Sequence, residues 1–347
     1  MAAQQPGVVK SILRVQELAD YIVPFAIRAV CDLGVADHLA EGPRPVEELA
    51  AATGAHAPSL HRTLRALACK GIFAEVEPGS FALTPLAELL RSDHPLSLRD
   101  AYPLLPADVT AWAHFDHTVE TGEPAFDRVH GRPYYDYLAD HPDESRRFDG
   151  SVHAQNRLVL RTVLSAYDWG GLGTIVDVAG GDGAFLARLL ARHPPLRGVL
   201  FDLPHVVARA PAVLERAGVA DRCEVVSGSF FDGVPEGGDT YLLKTILHDW
   251  DDEAAEAILA NVRAAAGRDA RLILLEALLE QGDDFHIGKL LDLHSLVLVG
   301  GPDRSRDDFE RLLARTGFEL TGVTSTATLA IMEARPVKVA ERRLVHA

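Results

Sequence analysis

The sequence predicts two parts, a mainly helical amino-terminal region followed by a doubly wound α/β domain. Three observations carry this. The chain has 347 residues, and at roughly 150 residues per domain that length asks for two domains. From about residue 8 to residue 101, apolar side chains recur at three- and four-residue spacing, the period of helices with one buried face. After Trp169 the pattern changes to short, continuously apolar runs alternating with helical segments. Strands buried on both faces read this way, as in a parallel sheet covered by helices.

In the first part, Ile12, Val15, Ala19, Ile22, Ala26 and Ala29 form the apolar stripe of one predicted helix. Val46, Leu49 and Ala50 lie on a short helix stopped by Gly54, and Leu60, Leu64 and Leu67 on the next. Ile72-Phe73, a Pro78-Gly79 turn and Phe81 to Leu83 then complete a winged helix-turn-helix pattern. The predicted organisation is 1–101 for this region, 102–168 for a helical connector, 169–335 for the α/β domain and 336–347 for a basic tail. Within the α/β domain, strands are predicted over 174–179, 198–203, 223–228, 240–247 and 271–279. Helices are predicted over 185–192, 206–217 and 252–266.

Composition narrows the function. With 34 Lys and Arg against 50 Asp and Glu, the formal charge is −16. A surface this acidic repels phosphate backbones and anionic lipid, so nucleic acid and membranes are not expected as partners. A winged helix nevertheless raises a DNA-binding reading, with His61, Arg62, Arg65 and Lys70 on the candidate recognition helix. The charge balance favours a platform for dimerisation or substrate enclosure instead. Cys31, Cys69 and Cys223 are far apart and form neither a CxxC pair nor a disulfide framework, which suits a reducing cytoplasm. No apolar secretion signal opens the chain, and Pro24, Arg28, Asp32 and Asp37 interrupt its most membrane-like stretch.

The residues able to carry chemistry cluster at predicted strand ends. The first strand runs into DVAGGDG at 177–183, a glycine-rich turn that lets a ligand approach the backbone. A dinucleotide fingerprint would need glycine at 186, where Leu186 stands, so a nicotinamide cofactor is disfavoured. Asp202 ends the second strand, about twenty residues on, where a carboxylate can accept ribose hydroxyls or simply cap a turn. Phe230, after the third strand, suits either an adenine face or the core. His248 follows the fourth strand, where imidazole can take a proton near neutral pH, although a histidine there can equally cap a helix. Glu276, on the neighbouring strand, is expected close to it. Asp292 and His294 share the predicted helix LLDLHSLVLV, with structural and substrate-facing roles equally open. No metal site is expected, since the His248 and Asp249 side chains should point apart and no second histidine pair completes a site.

DVAGGDG, FDLP at 201–204, GSFFD at 228–232, LLKTILHDWDD at 242–252 and GGPDRS at 300–305 occur in order. Together they resemble the metal-independent small-molecule O-methyltransferases of plant caffeate type and bacterial antibiotic-tailoring type. The resemblance covers nearly the whole chain, including a winged-helix dimerisation region beginning near AIRAVCDLGVADHLAEG at 26–42. It implies a Rossmann-like domain binding S-adenosylmethionine, a homodimer, and methyl transfer to a hydroxyl of an aromatic small molecule. By position it implies Gly180, Asp202, Ser229, Phe230 and Lys244 at the cofactor and His248 as general base, flanked by Glu276 and Asp303. It also implies Phe148 and Val152 on the substrate side, and Asp249 and Asp292 stand beside them as further substrate-pocket candidates. Four positions depart from the family pattern. Ala179 replaces a glycine, Ser229 an aspartate, Asp303 a glutamate one methylene longer, and Val152 a methionine. Taken with this resemblance, the abundance of Ala, Arg and Gly implies a bacterial source and natural-product tailoring. A relative that keeps the cofactor but decarboxylates or hydroxylates, and a winged-helix regulator, remain the alternatives.

Overall fold

The computed structural model describes residues 6–279, 282–283, 285–302 and 304–337. The chain divides into two compact units. One comprises the residues up to Pro106 with His141–Arg157, the other Ala107–Asp140 with the described residues from Leu158 onward. The predicted connector 102–168 is thus shared between the units. Of the predicted tail, Pro336 ends a strand, and everything past Val337 lies outside the described residues.

In the amino-terminal unit the single predicted helix is two, Pro6–Leu18 and Ile22–Asp32. The chain breaks between them, and the Asp20 carboxylate accepts the Ile22 amide at 2.6 Å. A short strand β1 (Arg44–Pro45) precedes helices Val46–Thr53 and Ala57–Ala68, and strands β2 (Phe73–Glu77) and β3 (Ser80–Leu83) form the wing. The order is β1-β3-β2, all antiparallel. Gly54, at φ 72°, ends the first of these helices in the left-handed conformation that glycine adopts without strain. Leu49, Leu64, Leu67, Phe73 and Phe81 are buried together as this unit's core.

The second unit holds a seven-stranded sheet. Its strands are β4 (Thr174–Val178), β5 (Arg197–Asp202), β6 (Cys223–Ser227), β7 (Thr240–Lys244), β8 (Arg271–Glu276), β9 (Phe318–Thr324) and β10 (Ala330–Pro336). The order is β6-β5-β4-β7-β8-β10-β9. The first five strands in that order are parallel, and β10 runs antiparallel to both of its neighbours. Side chains alternate across the sheet. Ile175, Leu200, Leu242 and Ile273 pack with helix Ala184–Arg192, while Val176, Phe201, Leu243 and Leu274 pack with helices Asp252–Ala265 and Arg306–Arg315. Two buried faces explain the unbroken apolar runs in the sequence.

Within the α/β domain the structure departs further from the sequence reading. The predicted helix 206–217 is two short ones, Pro204–Val207 and Ala210–Arg216. The strand predicted to reach 247 ends at Lys244, because Thr245 takes φ 53° and leaves the extended conformation. Strands β9 and β10 were not anticipated. The pairings Val178↔Phe201, Asp202↔Ser227, Val178↔Leu243 and Lys244↔Leu275 bring the carboxyl ends of the five parallel strands to one edge. That edge is where ligands bind in open α/β sheets.

Candidate active site

The glycine-rich turn after β4 is built by close approach. Ala179 and Gly180 both donate their amides to the Phe201 carbonyl, at 2.8 and 3.3 Å. A β-carbon on Gly180 would stand 2.5 Å from Leu200 Cδ1 and 2.6 Å from Asp177 Oδ2, so only glycine fits. Ala179, at φ 57°, adopts a left-handed conformation that glycine would hold without strain. Beyond Gly181, in contrast, nothing lies within 4 Å of where a β-carbon would be. The turn is packed underneath and open above.

Asp202 ties this turn to the next strand end. Its Oδ2 accepts the Gly181 amide at 2.9 Å and its Oδ1 the Leu203 amide at 2.6 Å. The turn-capping and ligand-facing readings of Asp202 are therefore compatible, since each carboxylate oxygen retains a further lone pair. Burial raises its pKa despite these two amide bonds. Past β6, the Ser229 hydroxyl accepts the Phe231 amide at 3.2 Å. The Asn261 amide donates to the carbonyls of Phe230 and Phe231 at 2.8 and 2.9 Å. Phe230, Phe231 and Trp250 meet edge to face, with centroids 4.8 to 5.8 Å apart.

His248 sits in the 3₁₀ turn Leu247–Asp249, just past β7. The turn is held from β8, where Glu276 Oε1 accepts the amides of Ile246 and Leu247, both at 2.9 Å. Glu276 is 1% exposed, and its Oε2 has no hydrogen-bond partner among the described residues. Burial raises its pKa, opposed first by the charge of His248, which puts the two groups within electrostatic reach. Glu276 therefore lies near His248, as expected, but its hydrogen bonds go to the backbone of the turn. The His248 and Asp249 side chains, expected to point apart, approach instead. His248 Nε2 is 3.5 Å from Asp249 Oδ1, and the other Asp249 oxygen accepts the Tyr135 hydroxyl at 2.7 Å. Among the described residues, no group of three or more His, Cys, Asp or Glu side chains is arranged to hold a metal ion.

Between the glycine turn and the His248 turn lie Asp177 and Lys244. Asp177 is 1% exposed, with no partner for Oδ2 among the described residues. Burial pushes its carboxyl up to about 7, against the attraction of Lys244. Burial lowers the Lys244 ammonium, which Asp177 and Glu276 both oppose.

The structure thus gathers Gly180, Asp202, Ser229, Phe230, Lys244, His248, Asp249 and Glu276 along one sheet edge. Asp303 lies outside the described residues. Phe148 and Val152 lie on helix Pro142–Ala166, in the part of it that belongs to the amino-terminal unit. Asp292 lies on helix Gly288–Leu298 with His294, whose Nδ1 accepts the Trp112 indole N–H at 3.1 Å. Burial lowers the His294 pKa. The sequence leaves WAHF at 112–115 and YYDYL at 134–138 open as pocket lining or interdomain core, but it does not foresee the Tyr135–Asp249 and Trp112–His294 bonds, and it gives no role to Asp177 or Arg304. A charge inside the apolar run TIVDV was a usable signal for Asp177.

The family profile of the O-methyltransferase domain matches residues 112–319, and that of the O-methyltransferase dimerisation domain matches 16–93. The chain belongs to the O-methyltransferase family. It is 44% identical over 329 residues to the phenazine O-methyltransferase PhzM of Lysobacter antibioticus, covering 94% of this chain and 96% of that one. The crystal structure of an O-methyltransferase from neocarzinostatin biosynthesis, in complex with S-adenosyl-L-homocysteine and 1,4-dihydroxy-2-naphthoic acid, superposes with a TM-score of 0.79. The two are 35% identical, over 93% of this chain and 98% of that one. The aclacinomycin 10-hydroxylase of Streptomyces purpurascens is 32% identical over 324 residues, 91% of this chain and 86% of its own. This O-methyltransferase is accordingly an enzyme that uses S-adenosylmethionine.

The residues present fit that cofactor. S-adenosylmethionine carries a sulfonium and an ammonium, and the edge offers the carboxylates of Asp177 and Asp202 beside an open glycine turn. An unpartnered, fully buried carboxylate oxygen is costly. A cation that reached the Asp177 oxygen would offset that cost.

Proposed function

We propose that this O-methyltransferase methylates a hydroxyl of an aromatic secondary metabolite, a phenol, enol or hydroxyquinone, with His248 as the general base. The observation that carries the reading is the His248 turn, fixed at the sheet edge that also holds the glycine turn and Asp202. Bound S-adenosylmethionine supplies a sulfonium-activated methyl group. Gly180 and its neighbours leave room for the methionine part, Asp202 accepts from the ribose, Ser229 and Phe230 border the adenine, and Lys244 lies beside the cofactor. Asp249 and Asp292 face the acceptor, and Phe148 and Val152 are assigned to it on the family resemblance.

His248 takes the acceptor's proton while Glu276 and Asp303 stabilise the imidazolium. A phenol near pKa ~10 and an imidazole near ~6.5 differ by about 5 kcal/mol, too much for full proton transfer before reaction. Proton removal is therefore concerted with attack, or the acceptor is an acidic hydroxyl of a quinone or naphthoate. The exposed apolar face of Val8, Ile12, Val15 and Leu18 supports a homodimer, in which these helices cover one another. The free cysteines Cys31, Cys69 and Cys223 support a cytoplasmic enzyme, and the net charge of −16 supports a small molecule rather than nucleic acid as its partner.

The test is calorimetric titration with S-adenosylhomocysteine, with NAD as control, followed by product analysis over phenols and hydroxyquinones. The expected result is micromolar S-adenosylhomocysteine binding that Asp202→Ala abolishes, no NAD binding, and a product heavier by one methyl group. His248→Ala should then lower turnover at least ~100-fold at nearly unchanged cofactor affinity. The hydroxylase among the relatives favours one second reading, oxygenation with the cofactor retained. A hydroxylated or decarboxylated product, with no methyl transferred, would establish it instead.

A further inference from the structure

Arg304 is a buried cation, 3% exposed. Its backbone is fixed by a bridge to Leu278, two residues past Glu276, and its carbonyl accepts the Leu279 amide at 3.3 Å. Its guanidinium points at the His248 turn. Nη1 donates to the Leu247 carbonyl at 2.5 Å and Nη2 to the Trp250 carbonyl at 2.8 Å, one residue before and two residues after His248. Nη2 and Nε both donate to Asp252 Oδ1, at 2.9 and 3.1 Å. Asp252 supplies the counter-charge while remaining 64% exposed and opening the next helix.

Burying a guanidinium is costly unless it is paired and fully hydrogen-bonded. An apolar side chain of similar size would fill the same space without that cost. What the guanidinium adds is a planar fork that reaches two carbonyls and a carboxylate at once. A lysine ammonium, a single point on a flexible stem, does not reproduce that geometry. On the opposite side of the turn, Glu276 takes the amides of Ile246 and Leu247. The turn is therefore gripped on its N–H side by an anion and on its C=O side by a cation.

We infer that Arg304 is a positioning residue for His248, fixing the turn so that the imidazole meets the acceptor hydroxyl within hydrogen-bond reach. The inference rests on His248 acting as the base. It predicts that Arg304 acts on turnover rather than on binding of S-adenosylhomocysteine or acceptor.

The experiment is a double-mutant cycle with the full-length enzyme and any acceptor it methylates, using R304Q, H248A and R304Q/H248A, with R304K and D252N alongside. R304Q is expected to lower kcat by about 50- to 100-fold, the scale of a 1 Å misplacement of a reacting group. The acceptor KM and S-adenosylhomocysteine Kd are expected to stay within about threefold, with R304K and D252N intermediate in kcat. In the H248A background, R304Q should remove less than about threefold further, since its effect passes through the absent imidazole. Wild-type kcat in R304Q, or an equal loss in both backgrounds, overturns the inference. If H248A itself keeps the wild-type rate, the base assignment fails, independently of what R304Q does. Should R304Q not fold, R304K with H248A completes the same cycle.

Discussion

The backbone of Gly301 passes so close to that of His248 that a β-carbon on Gly301 would stand 2.3 Å from the His248 carbonyl oxygen. The same carbon would lie 2.3 Å from the Asp249 carbonyl carbon and 2.6 Å from the Trp250 amide nitrogen. No flexible side chain is available to yield, because every one of these atoms is backbone. Gly301→Ala therefore has to move the turn itself. We expect kcat to fall by about 100-fold, with a stability loss of about 1–3 kcal/mol, as for other overpacked sites. Steady-state kinetics beside a denaturation curve tests this; unchanged kcat would show that the turn tolerates displacement.

Asp177 gives the fold a pH dependence of definite sign. Its carboxyl is pushed up to about 7 by burial, against about 3.9 in an unfolded chain. Between those values the folded state binds more protons than the unfolded one, so this group's contribution to stability falls as pH rises from about 4 to about 7 and is flat above. Three units amount to ~4 kcal/mol as an upper figure. Asp177→Asn removes the term. The stability of wild type relative to the variant should therefore be greater at pH 5 than at pH 7.5, a difference in which other titrations cancel. Equal differences at the two pH values would remove Asp177 as the cause.

The Trp112–His294 bond fixes a tautomer. With the indole N–H donating to Nδ1, a neutral His294 carries its proton on Nε2. The rings also lie nearly parallel, 14° apart with centroids 6.1 Å apart. Desolvation already holds the imidazole below its ordinary pKa. Trp112→Phe removes the donor that favours the neutral ring, so the His294 pKa should rise toward the ordinary value. Proton–nitrogen correlation spectra across pH 5 to 8 would report both the Nε2–H tautomer and the shift. An Nδ1–H tautomer in the wild type contradicts the assignment.

The amino-terminal helix makes the oligomer testable. Ile12 is 52% exposed, Leu13 61% and Val15 65%, a contiguous apolar surface of the sort that marks an interface. Ile12→Asp with Val15→Asp should convert the proposed dimer to a monomer in light scattering, without unfolding the α/β unit as judged by circular dichroism. A wild-type monomer would overturn the dimer, and a dimer surviving both charges would place the interface elsewhere.

Much of the fold was legible because the parallel strands are buried on both faces. Ile175 and Val176, for example, go to opposite helical layers, and an unbroken apolar run records that. Strand β9 escaped notice because FELTGVT is mostly half-buried or exposed, with neither an apolar run nor clean alternation. Among site residues, Gly180 and Asp202 announced themselves by spacing after a strand. Arg304 did not, because its partners are mainly carbonyls, which every residue possesses. Asp249 was misplaced for a similar reason. Alternation along a strand sends neighbours apart, but these two occupy a 3₁₀ turn, where His248 and Asp249 draw together. The first predicted helix failed at Asp20, which accepts the Ile22 amide and starts a new helix inside a continuing apolar stripe.

The two side chains that grip the backbone of the His248 turn both lie toward the carboxyl terminus, with consequences for how the protein matures. Glu276 is 29 and 30 residues beyond the amides it accepts, and Arg304 is 57 residues beyond Leu247 and 54 beyond Trp250. A chain emerging from the ribosome can pair β4, β5, β6 and β7 before either anchor has been synthesised. Strand pairing and completion of the turn are thus separable in time, and a nascent or clipped chain lacking residue 304 would lack one of the two anchors of the His248 turn along with β9 and β10. Ordered secondary structure would appear in such a fragment well before turnover does.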